Sequence, residues 1–176
     1  MTSRTRYKVV FDAEKCRGIV AEKLQINDLE KKWFGTKEGD KLILDTVEIA
    51  YLLLNEKASV ESCNTIITDF EKFISIHHKC LEEFFWPRLI VYKDLRDRGR
   101  RVRVLESDKF LVRDKQGNLR LVVVLEEGSL RSMQSIRQHV EMAMNNNLKL
   151  VYAIVSLQGD LTYYEVSRID IWGESP

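Results

Sequence analysis

The chain of 176 residues is short of several residue types, and each shortage excludes something. It has three cysteines, Cys16, Cys63 and Cys80, an odd number with no C-x-x-C pairing. That count argues against a disulfide framework or a thiolate zinc site. It has three histidines, and two of them, His77 and His78, are neighbours that do not face one metal from a helix. Cys80, Glu82 and Glu83 beside them fit ordinary helix positions better than a ligand set, so neither metal nor cofactor is expected. No apolar run approaches the roughly 20 residues that span a bilayer. Residues 1–30 carry charge throughout, without the apolar core of a signal peptide, and a cytoplasmic protein is expected. Net charge is also lacking, at +1.

What is present is a gradient of charge. Residues 88–120 hold 11 Lys/Arg against 5 Asp/Glu, whereas 1–87 hold 13 against 15 and 121–176 hold 4 against 7. A basic middle between mildly acidic flanks suits a polyanion, although solvated charge is the commoner explanation. Its densest part is Tyr92-Lys93-Asp94-Leu95-Arg96-Asp97-Arg98-Gly99, followed by Arg100-Arg101-Val102-Arg103-Val104. This reads as a helix end, a glycine stop and a basic strand. Arg98, Arg100, Arg101 and Arg103 are candidate RNA contacts, with Lys149 as a further one.

Periodicity predicts strands at 7–11, 17–24 and 42–44, and a helix from Asn27 or Asp28 to Trp33. Asp45 or Thr46 caps a second helix that runs to Asn55. A long helix is expected over 64–85, with Ile67, Phe70, Ile74, His77 or His78, and Leu81 at three- and four-residue spacing. Pro87 interrupts it, which puts a domain boundary at Trp86-Pro87, between units 1–86 and 87–176, and a new helix at 88–98. Strands are expected at 101–105, 110–113 and 120–125. A helix opened by Gly128 and Ser129 runs to Asn145 and buries Ile136, Val140 and Ala143. The almost uninterrupted apolar run Lys149-Leu150-Val151-Tyr152-Ala153-Ile154-Val155-Ser156 predicts a strand buried on both faces. A turn at 157–160 and strands at 161–166 and 169–172 complete an α+β chain, a small mixed N-terminal domain and then an α/β domain.

Several of these segments resemble one family in the right order. Trp33-Phe34-Gly35-Thr36, Gly39-Asp40-Lys41-Leu42-Ile43-Leu44 and Glu48-Ile49-Ala50-Tyr51-Leu52-Leu53 are similar to the N-terminal segment of archaeal tRNA-intron endonucleases. The Tyr92–Gly99 stretch resembles the start of that family's catalytic domain. Leu150–Ser156 with Gly159-Asp160-Leu161-Thr162-Tyr163-Tyr164 resembles its final strand, acidic loop and strand. The resemblance implies a restriction-endonuclease-like α/β domain after the N-terminal one, and metal-free RNA cleavage. In that reaction a tyrosine is the general base, a histidine the general acid, and a lysine steadies the transition state.

Transferred to this chain, the tyrosine position at the end of Lys109-Phe110-Leu111-Val112 holds Arg113, a cation that cannot act as a base. The histidine region, Gly117-Asn118-Leu119-Arg120-Leu121, has no histidine, and Arg120 stands there. His139 lies mid-helix, where a core or surface role is expected. The lysine position holds Leu148, with Lys149 one residue late and so on the opposite strand face.

The resemblance therefore implies a structural, non-catalytic subunit in a heterotetramer with two copies of a catalytic paralogue, acting on precursor tRNA. Its interface would comprise the loop residues Ser156, Gln158, Gly159 and Asp160, which in the family enter a basic cleft of the opposite subunit. Tyr164, Val166, Ile169, Ile171 and Trp172 of the last strands would complete it. Two other readings stand beside this one. The first is an active ribonuclease using a relocated group among Tyr92, Tyr152, Tyr163, Tyr164 and Lys149. The second is an RNA-binding module with no nuclease partner.

Overall fold

The computed structural model describes residues 6–81, 84–106 and 108–168. Its first sheet is built from β1 (Tyr7–Asp12), β2 (Arg17–Val20), β3 (Thr36–Glu38), β4 (Lys41–Leu44), β5 (Ala58–Ser62) and β6 (Thr65–Ile67), in the order β3-β4-β2-β1-β5-β6. Only β1 and β5 run parallel; the other pairs are antiparallel. Helices α1 (Lys23–Lys31), α2 (Thr46–Leu54) and α3 (Phe70–Ile76) accompany it, with a 3-10 turn at His78–Cys80.

α2 is the hub of this half, buried from Thr46 through Leu53. Its start is fixed chemically. The Asp45 carboxylate accepts from Val47 N at 2.9 Å, and Glu48 Oε2 accepts from Asp45 N at 2.9 Å, a capping box. The second carboxylate oxygen of Glu48 accepts from Gly35 N at 2.8 Å, tying the aromatic-glycine loop to the helix.

Glu48 is only 1% exposed, and burial pushes its carboxyl up to about 7 despite those two bonds. The folded state therefore holds a proton that the unfolded state has already released at pH 5–6. Stability from this group is full below the unfolded value near 4.5 and is lost as pH rises through 7. The loss amounts to about 3 kcal/mol. Urea titrations of wild type and Glu48→Gln at pH 5 and pH 8 isolate it, because the opposing contributions of His77 and His139, both lowered by burial, cancel in the difference. The wild type should lose about 2.5 kcal/mol relative to the variant between the two pH values. An unchanged difference would refute the assignment.

The sequence expectations need correcting here in four places. The long helix over 64–85 does not exist. Cys63 and Asn64 have φ of 48° and 59°, a left-handed pair joining β5 to β6 as a two-residue hairpin, and α3 starts only at Phe70. Ile67 is buried, but on a strand. Pro87 does not interrupt a helix either. It is the third residue of α4 (Phe85–Asp97), within the first turn, where a missing N–H is tolerated. α1 begins at Lys23 after Glu22, several residues before the expected cap.

The fourth correction concerns the cysteines. Cys16 and Cys80 form a disulfide, Cα to Cα 5.2 Å, and Cys63 is left exposed as a free thiol. An odd count leaves room for one pair, and the β1–β2 hairpin delivers Cys16 to the 3-10 turn from 64 residues away.

The second sheet comprises β7 (Arg101–Glu106), β8 (Lys109–Arg113), β9 (Leu119–Glu126), β10 (Lys149–Val155) and β11 (Leu161–Val166), ordered β11-β10-β9-β8-β7. β9 and β10 are parallel, joined by a crossover through α5 (Met133–Asn145). α5 starts later than expected, at the Ser132 cap, whose Oγ accepts from Ser135 N at 3.1 Å. α4 covers one sheet face, packing Leu89, Val91, Tyr92 and Leu95 with Val112, Val122 and Val151 in the main core. α5 covers the other with a small cluster of Ala143, Leu121, Val123, Leu150 and Tyr152. Ile136 and Val140 are only half-buried there.

The Tyr92–Gly99 segment locks the two halves together. Arg96 donates to Lys32 O at 2.6 Å, Trp33 O at 2.8 Å and Val102 O at 2.6 Å, and to Tyr92 Oη. Its guanidinium carbon lies 3.8 Å from the centre of the Phe34 ring. Asp97 accepts from Tyr51 Oη at 3.2 Å and Asp94 from Tyr163 Oη at 2.7 Å. Gly99, at φ +76°, lets the chain turn from α4 into β7.

Candidate functional site

Strand register brings the positions singled out in the sequence to one end of the second sheet. Arg120 on β9 lies opposite Val112 on β8 and beside Lys149 on β10, and Arg113 pairs with Leu119 one step further out. The side chains at these positions are cationic or apolar, and two of the cations are met by carboxylates. Arg113 is exposed on the last residue of β8. Arg120 donates to Asp114 Oδ2 at 2.6 Å. Asp114 also accepts from the side-chain amide and the backbone N of Asn118, at 2.9 and 2.8 Å. The Asn118 and Arg120 bonds hold its carboxyl well below the usual carboxylate range, so it stays ionised and committed within its own turn.

Leu148 is packed beside the α5 cluster, and its N donates to Ala143 O at 2.8 Å. Lys149 points to the other face and pairs with Glu165 at 3.0 Å. Among the described residues, this end of the sheet thus presents Arg113, Arg120 and Lys149, the last two held by carboxylates.

Of the tyrosines named as relocated bases, Tyr92, Tyr152 and Tyr163 are hydrogen-bonded within the fold. Tyr92 is fully buried under Arg96. Tyr163 lines a cavity of about 290 Å³ with Arg98, Arg100, Arg120 and Glu165 over an apolar floor. Burial, and then the Asp94 carboxylate that receives its hydroxyl, push its phenol far above the ordinary range. Tyr152 is 7% exposed and shares a 2.9 Å hydrogen bond with His139 Nδ1 across the opposite face. His139, 6% exposed, is kept neutral by burial and by the charges of Lys109 and Arg131. Its role is in the core. Tyr164 is exposed on the edge strand β11.

The basic segment divides by function. Arg98 bridges Asp94 at 2.8 Å. Arg103 lies over the Trp33 ring at 5.3 Å. Arg100, Arg101 and Arg113 have no acidic partner among the described residues. Sequence reasoning missed Arg96, whose acceptors are main-chain oxygens, and it missed Glu48. The Asp45-x-x-Glu48 spacing of a capping box was a readable signal for Glu48.

The loop between β10 and β11 is a closed turn. Ser156 N donates to Asp160 O at 2.8 Å, Asp160 N donates to Ser156 Oγ at 3.0 Å, and Gly159 adopts φ +88°. Gln158 and Asp160 are exposed at its tip, Tyr164 is exposed and Val166 half-buried on β11. The expected interface residues Ile169, Ile171 and Trp172 lie outside the described residues. No helix among the described residues is long and apolar enough to cross a membrane.

Comparison with known proteins agrees with this architecture. Residues 10–74 match the family model of the tRNA intron endonuclease N-terminal domain, and residues 85–163 match that of the tRNA intron endonuclease catalytic C-terminal domain. The tRNA-splicing endonuclease of Pyrococcus horikoshii is 32% identical over 154 residues, 82% of this chain and 86% of the relative. That of Thermococcus kodakarensis is 30% identical over 167 residues, 92% of this chain and 98% of the relative. The tRNA-splicing endonuclease of Methanosarcina barkeri is 32% identical over 163 residues, and the chain spans only 46% of that relative's length. Two sheets in this order, the locking Tyr92–Gly99 segment and these matches together make the chain a member of the tRNA intron endonuclease family.

Proposed function

We propose that this chain is the structural, non-catalytic subunit of a cytoplasmic heterotetrameric tRNA-splicing endonuclease. It would pair two-to-two with a paralogous catalytic chain and help excise introns from precursor tRNA at bulge-helix-bulge sites. The observation that carries this reading is Arg113. The strand end where the family places its tyrosine base carries a permanently charged guanidinium. The missing histidine and the inward-packed Leu148 agree with it. The chain's span of about half the Methanosarcina relatives also suits a division of labour between two such units. The units meet, in this reading, at Trp86-Pro87. The partner-facing surface comprises Ser156, Gln158, Gly159 and Asp160 with Tyr164 and Val166, because β11 is an edge strand that needs cover.

The test is a cleavage assay on a bulge-helix-bulge RNA. The purified chain alone should leave it intact, and co-expression with the catalytic chain should give a complex of two copies each that cuts. Asp160→Lys should abolish co-purification while leaving the melting temperature of this chain unchanged. Cutting by the chain alone would overturn the reading in favour of an active enzyme. RNA binding with no co-purifying chain would favour a free-standing RNA-binding module.

A further inference from the structure

We propose that Arg101, Arg113 and Lys115 form a clamp for a backbone phosphate of RNA, built where the family keeps its tyrosine. This rests on reading the chain as a subunit of an RNA-cleaving complex. Arg101 and Arg113 stand directly opposite each other in the β7–β8 ladder, and both are exposed. Like charges placed opposite on adjacent strands repel, and no acidic side chain among the described residues relieves them. A bound anion would.

The surroundings are shaped for these cations. The two arginines and Lys115 line a concavity of about 400 Å³ with Gly99, Asp114, Gln116 and Gly117. A Cβ on Gly99 would come within 3.1 Å of Lys115 Cε, and one on Gly117 within 3.5 Å of an Arg113 guanidinium nitrogen. Gly99 therefore leaves space that the Lys115 side chain occupies, and Gly117 borders the Arg113 guanidinium at contact distance. Asp114 is the one acid at the rim among the described residues, and its carboxylate is consumed by Asn118 and Arg120. Two guanidinium forks and an ammonium around one hollow match the oxygens of a phosphodiester, which arginine grips bidentately. The same chemistry would accept free phosphate, so the two sources must be separated by experiment.

The full-length chain is titrated against a fluorescent bulge-helix-bulge RNA between 50 and 200 mM KCl. Arg101→Gln and Arg113→Gln should each weaken binding about tenfold and reduce the slope of log affinity against log salt by about one. Neither should lower the melting temperature, since each removes a repulsion. Arg137→Gln removes an exposed arginine on α5, paired with Glu141, and should leave affinity unchanged. Unaltered slopes in the clamp variants, an equal loss in Arg137→Gln, or no RNA binding by the wild type at 50 mM KCl would each overturn the clamp. Titration with inorganic phosphate should show no millimolar site. Tight phosphate binding without RNA binding would mean a free-phosphate site and would also overturn it. Cleavage is scored in the same samples: if the chain alone cuts RNA, the subunit reading fails, whereas normal binding by the clamp variants with no cutting defeats the clamp only.

Discussion

Replacing Arg96 with alanine should lower the stability of the folded chain by about 4 kcal/mol, the largest effect expected of any single substitution outside the apolar core. The guanidinium serves three carbonyls, those of Lys32, Trp33 and Val102, and the Tyr92 hydroxyl, within 2.6 to 3.0 Å. These acceptors come from three separate parts of the chain, so no single neighbour can move in to satisfy them. The Lys32 carbonyl is exposed and recovers water, but the Trp33 and Val102 carbonyls are part-buried, and each left without a donor costs about 1–2 kcal/mol. Stacking on Phe34 adds about 1 kcal/mol. Lysine keeps the charge but cannot reach several acceptors with one fixed fork, so Arg96→Lys should recover less than half of the loss. Urea denaturation followed by tryptophan fluorescence reads both variants. A loss below about 1 kcal/mol for Arg96→Ala would show that the network is replaceable.

Opening the Cys16–Cys80 link should be nearly as costly. The two cysteines are 64 residues apart, and a cross-link of that span removes about 4 kcal/mol of chain entropy from the unfolded state, of which 2–4 is commonly realised. The expected result is a fall of about 2–4 kcal/mol in Cys16→Ser/Cys80→Ser relative to Cys63→Ser, the second variant being the reference that prevents exchange with the free thiol. Reducing agent should destabilise Cys63→Ser by the same amount and leave the triple variant Cys16→Ser/Cys63→Ser/Cys80→Ser unmoved. Equal stability of all three would mean that the cysteines lie side by side without being joined.

Much of the second half was legible in the sequence because its signals are local. The apolar run Lys149–Val155 became strand β10, flanked by β9 and β11, and the Gly159-Asp160 turn and the helix–glycine–strand order of 92–104 needed no distant information. The first half was harder. Ile67, Phe70 and Ile74 keep helical spacing, yet the positive φ of Cys63 and Asn64 forces a hairpin just before them, and a periodicity count does not register backbone handedness. The cysteine pair was missed because parity says nothing about proximity. At the candidate site, the positions that the resemblance assigns to base, acid and lysine were readable as Arg113, Arg120 and Leu148. The capture of Arg120 by Asp114 was not, since it depends on a tight turn between β8 and β9. Arg96 was visible as a basic residue among many, and the sequence carries no mark of which arginine is gripping main-chain oxygens.

The grip of Arg96 on Lys32, Trp33 and Phe34 also bears on how such chains diverge. A half exchanged between two relatives by recombination would arrive with its arginine or its loop, but without the matching counterpart in register. Two relatives are therefore not free to trade their halves one at a time, and the two-sheet unit is expected to be inherited whole.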